Sequence, residues 1–326
     1  MIKKLIIIIL ITLCIICAAI IYLSNVNNNQ KVDLYLYDNT SYNDLCKEIQ
    51  DKGIVKNLTL FNLYAKALDY KDNIKSGHYS IEPKTRLINF VYNLIKGRQQ
   101  PIKLIVGKSR LVEDFVQKIS ENFMFSSDNL LSELKNENID DSIFFFTIPN
   151  TYECYWTISP KDFILRMRKE SDKFWKNKKN DIERIGLSQY QVIILASIIE
   201  EETNKNEEKP TIAGVYINRL NKNMLLQADP TIKYAIKNFE LKRIKGDMLN
   251  TLSPYNTYKF KGLPPFPICL PSISSINAVL NYEKHDFLFF CAKEDFSGYH
   301  NFAVTVAEHL ENSRKYHKIL GEKGIK

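Results

Sequence analysis

Three consecutive carboxylates, Glu200, Glu201 and Glu202, are the residues of this chain best suited to moving protons. They follow an apolar run, VIILASII at 192–199, that opens with Ser188 and Gln191 at capping-box spacing. The pattern predicts a helix buried nearly all round that ends in acids. Negative charge at a helix C-terminus opposes the macrodipole and costs stability unless function or a partner offsets it. Helical spacing sets Glu200 one turn from Ala196 and Ser197 and two turns from Ile193, a small apolar surface. A carboxyl there is partly desolvated, holds its proton more tightly and can act as a general acid near neutral pH. All three acids turned to solvent fit the same spacing, and spacing alone leaves both readings open.

Other polar residues cluster downstream. Gln227 and Asp229 lie in a polar loop, where Asp229 before Pro230 is also an ordinary turn former. Between Pro254 and Pro271 fall five of the eleven prolines, which predicts a rigid irregular loop. Its Tyr255, Asn256, Thr257 and Tyr258 suit a polar polymer such as a glycan, and a loop that only covers the core fits equally well. Near the C-terminus Thr305, Glu308 and His309 share one helical face, nine residues and fewer beyond His300. That is not metal-ligand spacing, so no metal and no cofactor is expected. Nucleophile-elbow, Walker and dinucleotide-binding glycine patterns are missing, which removes the main support for serine-hydrolase and nucleotide-dependent chemistry.

The elements that must position these groups follow from periodicity. A strand at 32–38, helices from about 41 to 53 and 58 to 68, and a returning strand around Tyr79 and Ile81 make a small α+β module. Thr85 is expected to cap a helix over 86–96 that Gly97 closes. Beyond residue 102 come a strand (IKLIV), an amphipathic helix over 110–120, a buried apolar run at 144–149, and a charge-rich helix at 169–184 expected to be solvated. Another helix is expected from about Pro210 to Leu220.

The 326 residues are 45% hydrophobic and 25% charged, which excludes a disordered or fibrous chain. Much of the apolar content sits in residues 5–23, an uncharged run long enough to span a bilayer, preceded by Lys3 and Lys4. The positive-inside bias then places the N-terminus in the cytoplasm and the rest outside. An uncleaved anchor is expected rather than a secretory signal, because the run exceeds an ordinary signal core. Cys14 and Cys17 within it read as small hydrophobes, while Cys46, Cys154, Cys269 and Cys291 are expected to be structural or unpaired thiols. The net charge of +8 suits an anionic envelope, and without a polybasic block it does not argue for nucleic acid.

Six segments in register carry a resemblance: ASIIEEET at 196–203, IAGVYINRL at 212–220, LQADPT at 226–231, SPYNTY at 253–258, GLPPFPI at 262–268 and HNFAVTVAEH at 300–309. Their order and spacing resemble the endolytic murein transglycosylase family. The resemblance implies an α+β protein in three parts: a cytoplasmic stub, transmembrane helix and linker at 1–30, a LysM-like module at 31–101 and a catalytic domain at 102–326. It also implies a carbon–oxygen lyase of the bacterial inner membrane, single-pass with its catalytic domain outside the cytoplasm. Such an enzyme cuts peptidoglycan strands between N-acetylmuramic acid and N-acetylglucosamine, leaves a 1,6-anhydro end, terminates nascent strands and partners peptidoglycan synthases. The family's catalytic acid carries over to Glu200, with Glu202 and Thr203 also matching the motif. Candidate substrate-binding residues are Asn218, Arg219, Gln227, Asp229, Tyr255, Asn256, Thr257, His300, Thr305, Glu308 and His309.

The chain departs from the family pattern at Ala228, where Thr is usual, and at Phe266, where Gly is usual. Upstream, Phe144 and Phe145 replace the family's Glu and Gly, and Asn150 its Asp. A water-using muramidase and a non-catalytic wall-binding scaffold of the synthesis machinery are the rival readings.

Overall fold

A computed structural model describes residues 11–13, 26 and 29–322, apart from 72, 140–141 and 242. The expected membrane span at 5–23 therefore lies largely outside the described residues. Among the described residues no single helix is long and apolar enough to cross a membrane. The protein is mixed α+β and divides into two compact units.

The first unit is built on β1 (Val32–Leu36) and β2 (Gly77–Ile81), an antiparallel pair with Val32 opposite Ile81 and Leu36 opposite Gly77. Between them run α1 (Tyr42–Asp51) and α2 (Leu58–Ala67), and α3 (Leu87–Lys96) follows. Alternation on β1 turns Leu34 and Leu36 inward onto Leu45, Ile49, Phe61 and Leu94, the first unit's core. Ser41 caps α1 in a reciprocal box with Asp44, and Gly97, at φ 63°, closes α3 in the left-handed conformation. Thr85 does not cap α3. Its hydroxyl donates to the Glu82 carbonyl instead, and Arg86 holds the cap position without a side-chain bond. Residues 122–125 and 152–159, assigned by sequence to the larger part, also belong to this first unit.

The chain continues through β3 (Ile102–Val106), which pairs with β4 (Asn150–Cys154). In the second unit α4 (Val112–Ser120), α5 (Ser127–Asn136) and a 3-10 turn (Ile143–Phe146) precede α6 (Pro160–Lys176) and α7 (Lys179–Ile185). The charge-rich stretch thus forms two helices, with Ser171 and Trp175 turned into the core. Then comes α8 (Gln189–Glu202), capped by the Ser188 and Gln191 box, with Val192 through Ile199 all buried. Around α8 pack α9 (Lys209–Asn221), α10 (Asp229–Ala235) and α11 (Ile273–Leu280). An antiparallel pair, β5 (Phe289–Ala292) and β6 (His300–Ala303), and α12 (Val306–Glu322) complete the unit.

Two local features bring the site elements together. The proline-rich loop is pinned to α8 by the Ser197 hydroxyl, which accepts the Ile268 N–H at 3.0 Å. Gly214 on α9 lets residues 283–285 approach so closely that a Cβ would strike the Glu283 carbonyl and the His285 ring. The chain leaving that contact runs into β5.

Candidate active site

The last turn of α8 sends its three carboxylates into three different settings, as a rotation of about 100° per residue requires. Glu200 turns toward the N-terminus of α11. Its Oε2 accepts the Ser272 backbone N–H at 3.3 Å, the Ser272 and Ser275 hydroxyls at 2.5 Å each, and Lys209 Nζ at 3.1 Å. Burial pushes this carboxyl up, but the two serine hydrogen bonds and the Lys209 ammonium outweigh it and hold the group below the ordinary carboxylate range. Glu201 faces Lys108 at 2.7 Å and Arg110 at 2.9 Å, and those bonds likewise overcome burial and keep it ionised.

Glu202 opens onto a cavity of about 390 Å³. Its Oε1 accepts the Tyr216 hydroxyl at 2.5 Å. Here burial dominates: it raises the carboxyl to about 7 with help from the nearby Asp229 charge, against the opposing Tyr216 bond and the Lys233 and Arg219 charges. Near neutral pH this side chain can give up a proton, which Glu200 cannot. Glu200, the expected proton donor, caps α11 and does not line this cavity, and the acid on the cavity wall is Glu202.

Of the candidate binding residues, Arg219, Gln227, Asp229, His300 and His309 line the same cavity as Glu202. Arg219 is buried and spends its donors on the chain: Nε on the Leu288 carbonyl at 2.6 Å and Nη1 on that of Leu226 at 2.8 Å. It thereby joins the 225–227 loop to β5 while placing a positive charge under the cavity. Gln227 takes a left-handed φ of 49°, held by its N–H to the Thr257 carbonyl at 3.1 Å. Asp229, the first residue of α10, accepts the Tyr258 hydroxyl at 2.5 Å, and burial together with that carboxylate pushes Tyr258 well up. His300 Nδ1 meets Glu208 Oε2 at 3.0 Å. His309 stacks on Phe289 with centroids 5.4 Å apart, and burial and the Arg219 charge lower its proton affinity.

The remaining candidates serve the scaffold. Asn218 gives its amide protons to the carbonyls of His285 at 2.7 Å and Phe287 at 3.1 Å. Fully buried Asn256 donates to Leu249 and Thr251 carbonyls, and Thr257 accepts the Ala228 N–H at 3.0 Å. Tyr255 packs on Tyr234 with centroids 4.7 Å apart. Thr305 and Glu308 form a capping box for α12, Glu308 Oε2 accepting the Thr305 N–H and Thr305 Oγ1 the Glu308 N–H. That local signature explains the shared face without a ligand.

Tyr216 and Glu208 were not among the sequence candidates, and Tyr258 was noted only as part of the proline-rich loop. Only Glu208 had a usable signal, the second of two adjacent acids just before the helix that also carries Arg219. Among the described residues no three His, Cys, Asp or Glu side chains converge as metal ligands do. All four described cysteines are free thiols, and Cys291 lines the cavity.

A profile of the YceG-like family matches residues 34–315, most of the chain and every part of this cavity. The chain belongs to the YceG-like family. It is 34% identical over 212 residues to the endolytic murein transglycosylase of Bacillus subtilis, covering 65% of this chain and 57% of that protein. A protein of the same name from Streptococcus pneumoniae is 25% identical over 303 residues, 82% of this chain and 55% of that one. The chain thus spans little more than half the length of these curated relatives. A crystal structure of a yceG-like protein from Listeria monocytogenes superimposes with a TM-score of 0.55 at 27% identity, covering 87% of this chain and 99% of that one.

Two departures from the family pattern prove to be one. Phe266 and Phe145, both standing where Gly is usual, pack against each other with centroids 5.9 Å apart, and Phe145 also meets Tyr190 edge-on at 4.8 Å. Ala228, the third departure, is fully buried as the N-cap of α10, where its methyl group offers no cap bond.

Proposed function

We propose that this protein is a peptidoglycan lytic transglycosylase whose general acid is Glu202. The observation that carries the reading is a carboxyl at the end of a buried helix, open to a cavity and raised by burial to about 7. The names of the curated relatives support the substrate class. Glu202 protonates the glycosidic oxygen as the muramyl C1–O bond breaks. The muramyl C6 hydroxyl then closes on C1, giving the 1,6-anhydro end, and the Glu202 carboxylate is one group able to take its proton. The cut is endolytic, between N-acetylmuramic acid and N-acetylglucosamine. The proposal extends to nascent-strand termination beside a synthase, with residues 31–101 as a LysM-like module, 102–326 as the catalytic domain, and 5–23 as a tether that keeps both outside the cytoplasm.

One observation favours a second reading. Asp229 lines the same cavity close enough to raise Glu202, and a hydrolase needs such a second carboxylate to activate water or attack C1. Mass spectrometry of digested glycan strands separates the two. Anhydromuramyl ends from wild type, lost in Glu202→Gln and kept in Glu200→Gln, support the lyase with Glu202 as acid. Reducing muramic ends overturn the lyase in favour of hydrolysis.

A further inference from the structure

We propose, building on that lyase reading, that His300 held by Glu208 is the base that removes the C6 hydroxyl proton, so that acid and base are separate side chains. His300 opens β6 and lines the cavity beside Glu202, while Glu208 is the residue that leads into α9. The two side chains are largely withdrawn from solvent, 14% and 9% exposed. Glu208 grips His300 twice: Oε1 accepts the backbone N–H at 2.8 Å and Oε2 faces Nδ1 at 3.0 Å. A carboxylate only accepts, so Nδ1 carries a proton, and in the neutral ring the lone pair is then on Nε2. Among the described residues Nε2 has no hydrogen-bond partner, and Phe290, edge-on to the ring at 5.3 Å, fixes its plane.

An imidazole with one nitrogen locked by a buried carboxylate and the other open to a cavity is the arrangement of a general base and its orienting group. His309 on the same cavity is not so equipped. Its Nδ1 is buried without a partner and no carboxylate sets its tautomer.

The step balances without a further reactant. The C6 O–H proton passes to Nε2 as O6 bonds to C1, and the C1–O bond to the leaving sugar breaks as that oxygen takes the Glu202 proton. The imidazolium then returns its proton to the Glu202 carboxylate, directly or through solvent. In this step Glu208 is a positioning residue and His300 a catalytic one. The titratable or charged groups sharing the cavity are Glu202 from α8, Arg219 from α9, Asp229 from α10, Cys291 from β5 and His309 from α12, with Glu208 behind the ring.

The test measures anhydromuramyl ends released by wild type, His300→Gln and Glu208→Gln across pH, together with melting midpoint and glycan-strand binding. His300→Gln is expected to lose about 100-fold in turnover, the ordinary scale of general-base catalysis, while binding strands as wild type does. The alkaline limb of its pH–rate profile, belonging to Glu202, stays. In Glu208→Gln the new amide donates to Nδ1 and forces the proton onto Nε2, so turnover falls comparably although the ring stays in place. A His300→Gln enzyme as active as wild type overturns this inference alone. So does a loss matched by equal loss of melting midpoint and binding. Wild type that releases no anhydro ends overturns the lyase reading and this inference with it.

Discussion

Glu200 and Glu202 are the same side chain on the same helical turn, and their proton affinities are moved in opposite directions. Around Glu200 a helix N-terminus, two serine hydroxyls and a buried ammonium supply more favourable interaction with the anion than burial removes. Around Glu202 one tyrosine hydroxyl is the single direct donor among the described residues, and the neighbouring Asp229 charge adds to the burial penalty. The difference teaches that desolvation makes a general acid only where donors are scarce. It also explains why a helix ends in acids against its own dipole: Glu200 and Glu201 are each matched by cations, and Glu202 need not be charged.

The strongest way to break this comparison is to remove one carboxyl at a time. Glu202→Gln is expected to lose at least about 1000-fold in anhydro-end formation, within the span of acid–base catalysis, with its fold intact. Glu200→Gln is expected to do the reverse. It leaves Lys209, which is 5% exposed, without its charge partner, so chemical denaturation should show a loss of about 3 kcal/mol while turnover per folded molecule stays within a few-fold. Equal catalytic losses in both variants would erase the distinction.

Stability against pH sharpens it, because the two groups have opposite signs. Glu202 is raised in the folded state, so its contribution is full below the ordinary carboxylate range and is lost as pH rises through about 7. Glu200 is lowered, so its contribution is present above the ordinary range and is lost as pH falls through the depressed value. Melting midpoints of each Gln variant, subtracted from wild type across pH, should therefore slope in opposite directions. The smallest expected effect is that of Thr305→Ala, which removes a helix cap, lowers stability by about 1 kcal/mol and leaves turnover unchanged.

Much of the scaffold was legible because its signals are local. The Ser188 and Gln191 box, the Gly97 stop and the buried run before Glu200 depend on neighbours within a few residues. The choice among the three acids was not legible for a reason specific to α8. A helix buried on nearly every side has no polar stripe to set its phase, so nothing nearby tells which face meets which neighbour. The groups that decide are distant in the chain: Ser272 and Ser275 for Glu200, Lys108 and Arg110 for Glu201, Tyr216 for Glu202. Thr305 and Glu308 are ambiguous in sequence for another reason, since a shared helical face and a capping box have the same spacing.

By itself the sequence determined that a buried helix delivers three carboxylates to one turn, that a rigid proline-rich loop lies beyond it, and that His300 and His309 follow in order. Those are properties of spacing, dihedral restriction and local capping, which neighbouring residues settle among themselves. Only the tertiary structure decided which acid is held below the ordinary carboxylate range and which is raised above it, and that Glu208 faces Nδ1 of His300. Proton affinity depends on what stands within a few ångströms of a carboxyl or an imidazole, and here those neighbours come from other helices and strands of the fold.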